Sequence, residues 1–262
     1  LIRESEFPSI NMPPGNGTLV NADRGLEEAY CAAITKSLTQ QNPKTRIAYT
    51  PLHGVAMGLI QKSFTKAQAG ELIPVKTQMV PDADFPTVSF PNPEEHGVMD
   101  SVIDLAKASN ADLALANDPD GDRLAVAIPT LSGDWRSLSG DEIGALLFNH
   151  VARKTSGTNR KVVTTIVCSK LVSKIASKHG VEHATTLTGF KWIIPAAYND
   201  SSLQPIFCYE EALGYATNTA VRDKDGISAA LMMAELTAAL KEQGQTLEDE
   251  LDALSLEYGH HV

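Results

Sequence analysis

Asp118, Asp120 and Asp122 stand at alternate positions in the run D-P-D-G-D-R, which Arg123 closes. Like charges held a few ångströms apart raise one another's pKa, so three carboxylates in one short loop call for a cation among them. Oxygen donors suit a hard divalent ion, and Mg²⁺ takes one or two carboxylates while keeping positions for water and phosphate oxygens. The chemistry expected of this loop is the binding of a divalent metal ion. A calcium EF-hand opens on the same alternation but needs Gly at its sixth position and Glu at its twelfth. Arg123 and Pro129 stand there instead. A plain acidic turn is the other alternative, since Asp, Pro and Gly all favour turns. A turn, however, has no need of three alternating Asp followed by Arg.

Such a loop works only when rigid elements present it. Two short apolar runs, 113–116 and 124–128, flank it and read as strands. Upstream, Leu26, Ala29, Tyr30, Ala33, Ile34 and Leu38 recur at helical spacing and predict a helix over 23–41. A buried strand at 46–50 runs into Pro51-Leu-His-Gly54, followed by a helical pattern over 55–67, a strand at 71–75 and an irregular Pro-rich crossing at 81–93. A helix over 95–109 then precedes the strand that delivers the acidic loop. This alternation implies a mainly parallel sheet covered by helices. His53 sits where a strand end meets a helix start, a place that serves ligands or a structural hydrogen bond equally.

The stretch 129–136, with Gly133 and Trp135, breaks the pattern and reads as the boundary between two units. Ser139 and Glu142 form a capping box that opens a helix to 154, and 155–159 is a turn before a strand at 161–167. Ser169 caps a helix to 178, a strand follows at 182–186, and a helix at 192–198. The strand 205–209 ends at Glu210, and a long helix over 225–241 places Met232 and Met233 in packing roles. Thr246 caps the last helix, which stops at Gly259; His260 and His261 are adjacent, point different ways and do not read as a metal site.

With 262 residues, of which 43% are apolar, the chain has material for one large domain or two ordinary ones. A net charge of −10 argues against nucleic acid or an anionic membrane as the main partner. Cys31, Cys168 and Cys208 are odd in number and widely spaced, as expected of buried thiols in a reducing compartment. No apolar run approaches the roughly 20 residues of a membrane span, and no signal-peptide pattern opens the chain, so the cytoplasm is the expected location. The chain starts on Leu1 rather than Met, which suggests a piece of a longer protein.

The D-P-D-G-D-R loop between apolar strands resembles the metal loop of the α-D-phosphohexomutase superfamily. Thr50-Pro-Leu-His-Gly54, Pro91-Asn-Pro-Glu94, Thr188-Gly-Phe-Lys-Trp192, Glu210-Glu-Ala-Leu-Gly214 and Arg222-Asp-Lys-Asp-Gly226 are similar to further motifs of that family, in its order. The resemblance implies an α/β protein of two consecutive three-layer α/β/α domains with mainly parallel, mixed sheets. A connecting arm at 1–20 would precede a metal-binding domain at 21–130 and a sugar-recognition domain at 137–259, the second and third of four. It implies Mg²⁺ on Asp118, Asp120 and Asp122, with a phosphoserine oxygen as remaining ligand, and Arg123 stabilising phosphate.

Glu210 would recognise sugar hydroxyls, and Lys191, Arg222 and Lys224 the distal phosphate. Gly189 and Gly226 would serve close backbone approach or simple turns, and Glu211 would be a solvated neighbour. The activity implied is exchange of hexose 1-phosphate and hexose 6-phosphate, glucose or mannose first, with glucose 1,6-bisphosphate as activator. Ala212 stands where many hexose-specific relatives carry Ser, and E-E-A-L-G is similar to a branch that includes phosphopentomutases and glucose-1,6-bisphosphate synthases.

The family's T-A-S-H-N-P-like serine segment and R-x-S-G-T-E-P-like phosphate loop have no counterpart in this sequence. The missing N- and C-terminal domains are therefore expected partners, and the chain alone is expected to be inactive as a mutase. A non-catalytic, metal-dependent phosphosugar-binding module is the alternative of another class. A phosphatase with an Asp nucleophile would need a free Asp, and all three here are committed to metal.

Overall fold

The computed structural model describes residues 24–39 and 44–261; the connecting arm expected at 1–20 lies outside them. Helix α1 (Arg24–Thr35) precedes strand β1 (Arg46–Thr50), helix α2 (Met57–Ala67), strand β2 (Glu71–Pro74), helix α3 (Asp100–Ser109) and strands β3 (Leu113–Ala116), β4 (Ala125–Pro129) and β5 (Trp135–Ser137). The first sheet runs in the order β2-β1-β3-β4-β5. β1 is parallel to β2 and β3, as expected of strands joined through helices, whereas β3, β4 and β5 follow one another antiparallel. The acidic loop is therefore the turn of the β3–β4 hairpin. Every residue of β3 is buried, as are the first four of β4, which gives that turn a rigid base.

Several boundaries differ from expectation for local reasons. α1 ends at Thr35 and passes into a turn rather than continuing towards 41. α3 begins at Asp100 rather than 95, because Gly97 takes a φ of +82° that a helix cannot hold. Within the stretch 129–136, residues 130–134 turn the chain into β5, which pairs with β4 through Ala127–Ser137 and Pro129–Trp135. The first sheet therefore runs to Ser137, beyond the 130 expected as the end of the first unit. Trp135 packs against the apolar core, and this holds the extra strand in place.

The second unit opens with α4 (Gly140–Lys154), whose N-terminus carries the Ser139–Glu142 capping box. There follow β6 (Arg160–Thr165), α5 (Leu171–Lys178), β7 (Glu182–Thr186), α6 (Phe190–Ala197), β8 (Gln204–Glu210), β9 (Gly214–Ala216), α7 (Gly226–Glu242) and α8 (Leu247–Tyr258). The N-cap of α5 is Lys170, although Ser169 Oγ does accept the Leu171 N–H at 3.3 Å. The second sheet has the order β7-β6-β8-β9, parallel except for the β8–β9 hairpin. Both units are α/β/α with mixed sheets.

The two units share one apolar core. α7 is buried along almost its whole length, Met232 and Met233 included, and packs against α1, α2 and β3 of the first unit as well as α4 and β9 of its own. α6 covers the opposite face of the second sheet over a smaller cluster built on Val163, Phe190, Ile193 and Cys208. Cys31 and Cys208 are buried thiols, while Cys168 is partly exposed. No helix among the described residues is long and apolar enough to cross a membrane.

Candidate functional site

The acidic loop is tied down at its base before any of its carboxylates is considered. Asn117, fully buried at the end of β3, accepts a hydrogen bond from Tyr49 Oη at 2.8 Å and donates from Nδ2 to the Arg123 carbonyl at 2.6 Å. One side chain thus closes the loop across six residues. The Arg123 N–H donates to Asp118 Oδ1 at 3.0 Å, and the Val55 N–H to the Pro119 carbonyl at 2.9 Å, so the turn after β1 buttresses the loop. The second unit completes it, since the Leu124 N–H donates to the Leu213 carbonyl at 3.0 Å and Arg123 bridges to Gly214. Gly226 lies against the same base: a Cβ there would fall 2.2 Å from the Arg123 carbonyl oxygen and 2.4 Å from Asn117 Nδ2. Only glycine permits that approach.

On this base Asp118, Asp120 and Asp122 each place a carboxylate oxygen within 4.8 Å of the other two. Asp118 and Asp122 are half-buried and Asp120 is exposed. Burial, and then the charges of Asp122 and Asp120, push Asp118 up to about 6 against the opposing pull of the Arg123 N–H. Three carboxylate oxygens this close together are a donor set that fits Mg²⁺.

Two cations border the triad. Lys224 Nζ lies 2.6 Å from Asp122 Oδ2, and Arg123 sits between Asp118 (3.8 Å to Nε) and Glu94 (3.7 Å to Nη1). Glu210, at the end of β8 and buried, faces the same region. Its burial pushes the carboxyl above the ordinary range, while Lys224, Arg123 and the Gly189 N–H draw it back. That N–H comes from the N-cap of α6, where Gly189 has a φ of +110°. Gly214 leaves room between Glu210 and Lys224, since a Cβ there would sit 3.0 Å from Glu210 Cγ and 2.9 Å from Lys224 Cδ.

The structure thus gathers Asp118, Asp120, Asp122, Arg123, Lys224, Glu210 and Gly189 around the seam between the two units. Lys191 and Arg222 are exposed and stand beside aromatic rings, Lys191 Nζ 6.0 Å from the Trp192 ring and Arg222 Cζ 4.5 Å from Tyr198. Glu211 is not a merely solvated neighbour, because it accepts from Thr165 Oγ1 at 3.0 Å and lies 3.6 Å from Cys168 Sγ. His53 is buried, with Nε2 2.8 Å from Thr87 Oγ1. Asn117 carried no signal in the sequence, whereas Glu94 stood inside the Pro91–Glu94 motif without an assigned partner.

Family profiles described as "Phosphoglucomutase/phosphomannomutase, alpha/beta/alpha domain II" and "domain III" match residues 28–133 and 139–258. A Haemophilus influenzae protein named "Probable phosphomannomutase" is 42% identical over 240 residues, covering 90% of this chain and 48% of that protein. Human phosphopentomutase is 40% identical over 247 residues, covering 89% of this chain and 39% of the enzyme. Human glucose 1,6-bisphosphate synthase is 36% identical over 234 residues, covering 84% and 38% respectively. The crystal structure of a phosphoglucomutase/phosphomannomutase family protein from Burkholderia thailandensis shares the fold, with a TM-score of 0.70 at 21% identity over 87% of this chain and 46% of that one. The chain therefore spans about half the length, or less, of these relatives. It belongs to the α-D-phosphohexomutase superfamily, of which it carries the two central domains.

Proposed function

We propose that this chain is the metal-binding and sugar-recognition portion of a Mg²⁺-dependent phosphosugar mutase, exchanging hexose 1-phosphate and hexose 6-phosphate with glucose or mannose first. The observation that carries this reading is the meeting of an oxygen triad, two cations and a buried carboxylate at one seam. Phosphoryl transfer depends on positioning and charge neutralisation more than on covalent chemistry from the protein. Mg²⁺ on the triad would polarise a phosphoryl oxygen and offset its charge. Arg123 is held for the same phosphate by Asp118, Glu94 and the Asn117 clasp on its own carbonyl. Glu210 would accept from two sugar hydroxyls, and its burial makes a mismatch in that pairing costly. We assign the phosphoryl-carrying serine, the binding of glucose 1,6-bisphosphate and the terminal phosphate loop to parts of the protein outside this sequence. A pentose phosphate is the second reading, favoured by Ala212 and by relatives named phosphopentomutase.

Two measurements test this. Calorimetric titration of the chain with Mg²⁺ should show one site, lost in Asp120→Ala. Assayed with Mg²⁺ and a trace of glucose 1,6-bisphosphate, the chain should not turn over glucose 1-phosphate, whereas the protein extended by its flanking domains should turn over hexose phosphate faster than ribose phosphate. Turnover by the chain alone that disappears in Asp120→Ala would overturn the placement of the phosphoryl carrier, and a full-length preference for ribose phosphate would overturn the sugar.

A further inference from the structure

Lys224 is placed between two halves of the site rather than in either one. Its aliphatic stem passes over Gly214 beside Glu210, and its ammonium ends 2.6 Å from Asp122 Oδ2. The backbone beneath it is fixed. The Asp225 N–H donates to the Tyr215 carbonyl at 2.8 Å, and the Asp225 carboxylate caps α7 while accepting from Tyr30 Oη at 2.8 Å. Any movement at this position is therefore a change of lysine rotamer, with 21% of the side chain exposed. An ammonium is a compact charge with no demand for a particular ligand plane, so it can stand in for a cation at a carboxylate. Asp122, Asp223 and Glu210 are the carboxylates whose charges act on it, and in the proposed reading Asp122 and Glu210 serve different tasks.

We infer that Lys224 and the divalent ion compete for Asp122, so that occupation of the triad releases the Lys224 ammonium towards Glu210, where it meets the ligand's phosphate. This rests on the reading of the triad as a Mg²⁺ site and adds a coupling to it. Coupling between two binding events is reciprocal. Whatever free energy Asp122 gives to Lys224 is subtracted from metal affinity, and the metal in turn frees a cation for phosphate. The opposite arrangement, a lysine that orients Asp122 as an outer partner of the metal, is also physically reasonable, and losing such a partner weakens metal binding. The two arrangements predict opposite signs.

The test is Mg²⁺ calorimetry on the 262-residue chain and its Lys224→Met variant, which keeps the stem and removes the charge. Competition predicts that Lys224→Met binds Mg²⁺ about three- to tenfold more tightly, while Lys224→Arg, which keeps the charge, stays near the parent. A second readout is the rate at which acetic anhydride labels Lys224, followed by mass spectrometry. Mg²⁺ should raise that rate in the parent and leave it unchanged in Asp120→Ala. Unchanged or weaker Mg²⁺ binding in Lys224→Met, or labelling indifferent to Mg²⁺ in a parent that binds it, would overturn the coupling while leaving the metal site standing. A parent that binds no Mg²⁺ would remove both.

Discussion

Three carboxylate oxygens within 4.8 Å of one another are an arrangement whose cost is local and whose benefit needs a cation. Asp120 is the exposed member, so nothing in the core depends on it. In EDTA, Asp120→Ala should therefore keep thermal stability within about 0.5 kcal/mol of the parent, the range of a surface change, or raise it slightly by relieving repulsion. In Mg²⁺, the parent should gain melting temperature and the variant should not, because only a ligand bound to the folded form stabilises it. Equal gains in both would return the loop to the status of a plain acidic turn. The triad was legible in the sequence because its three members are neighbours along the chain. Asn117 was not, since Tyr49, its hydroxyl partner, lies 68 positions away and only the fold brings the two together. The same holds for Lys224, whose sequence motif pointed to phosphate while the fold sets it on Asp122.

Elements whose signals lie within a few residues are legible in the sequence, whereas a strand made by pairing and packing is less so. β1, β3 and the capped start of α4 follow from apolar runs and a capping box contained in a few residues. β5 was missed because Gly133 and an exposed turn announce a break, whereas pairing with β4 and the packing of Trp135 make the next residues a strand. The N-terminus of α7 helps join the acidic loop to the second unit, with Gly226 against the Arg123 carbonyl and Asn117. A methyl group at that position meets the Arg123 backbone and the Asn117 amide that is hydrogen-bonded to it, so either α7 or the loop must shift. Gly226→Ala should destabilise the chain by about 1–3 kcal/mol, the cost of overpacking a closed contact, and should also weaken Mg²⁺ binding, because the displaced atoms hold the loop's base. Urea denaturation reads the first effect and calorimetry the second. Lost stability with unchanged metal affinity would mean that the loop holds its geometry without α7.

That the two units form one body was the least legible feature, although the apolar character of α7 on every face hinted at burial from both sides. Away from the site, the joint is made by Glu235 in the middle of that helix. Its carboxylate accepts from the Thr39 N–H at 2.5 Å and Thr39 Oγ1 at 3.0 Å in the segment after α1, lies 3.0 Å from His150 Nε2, and pairs with Lys154 on α4. Lys154 also donates to the Ser37 carbonyl at 2.8 Å. Burial by itself would raise the Glu235 carboxyl, but the donors from His150, Lys154 and Thr39 outweigh it and hold the group at about 2, below its ordinary value of 4.5. A carboxyl depressed on folding contributes stability above its unfolded pKa and loses it as pH falls through the folded value. Glu235 should therefore support the fold fully above about pH 4.5 and progressively less towards pH 2. Glu235→Gln strands Lys154 without its counter-charge and should cost about 3 kcal/mol at pH 7, in the range for breaking one partner of a buried pair. Towards pH 2 the parent becomes protonated at the same position, so the difference between parent and variant should narrow. Denaturant unfolding of both proteins across this pH range checks the sign, and two stability curves that stay parallel from pH 7 to pH 2 would show that the joint between the units does not depend on the Glu235 charge.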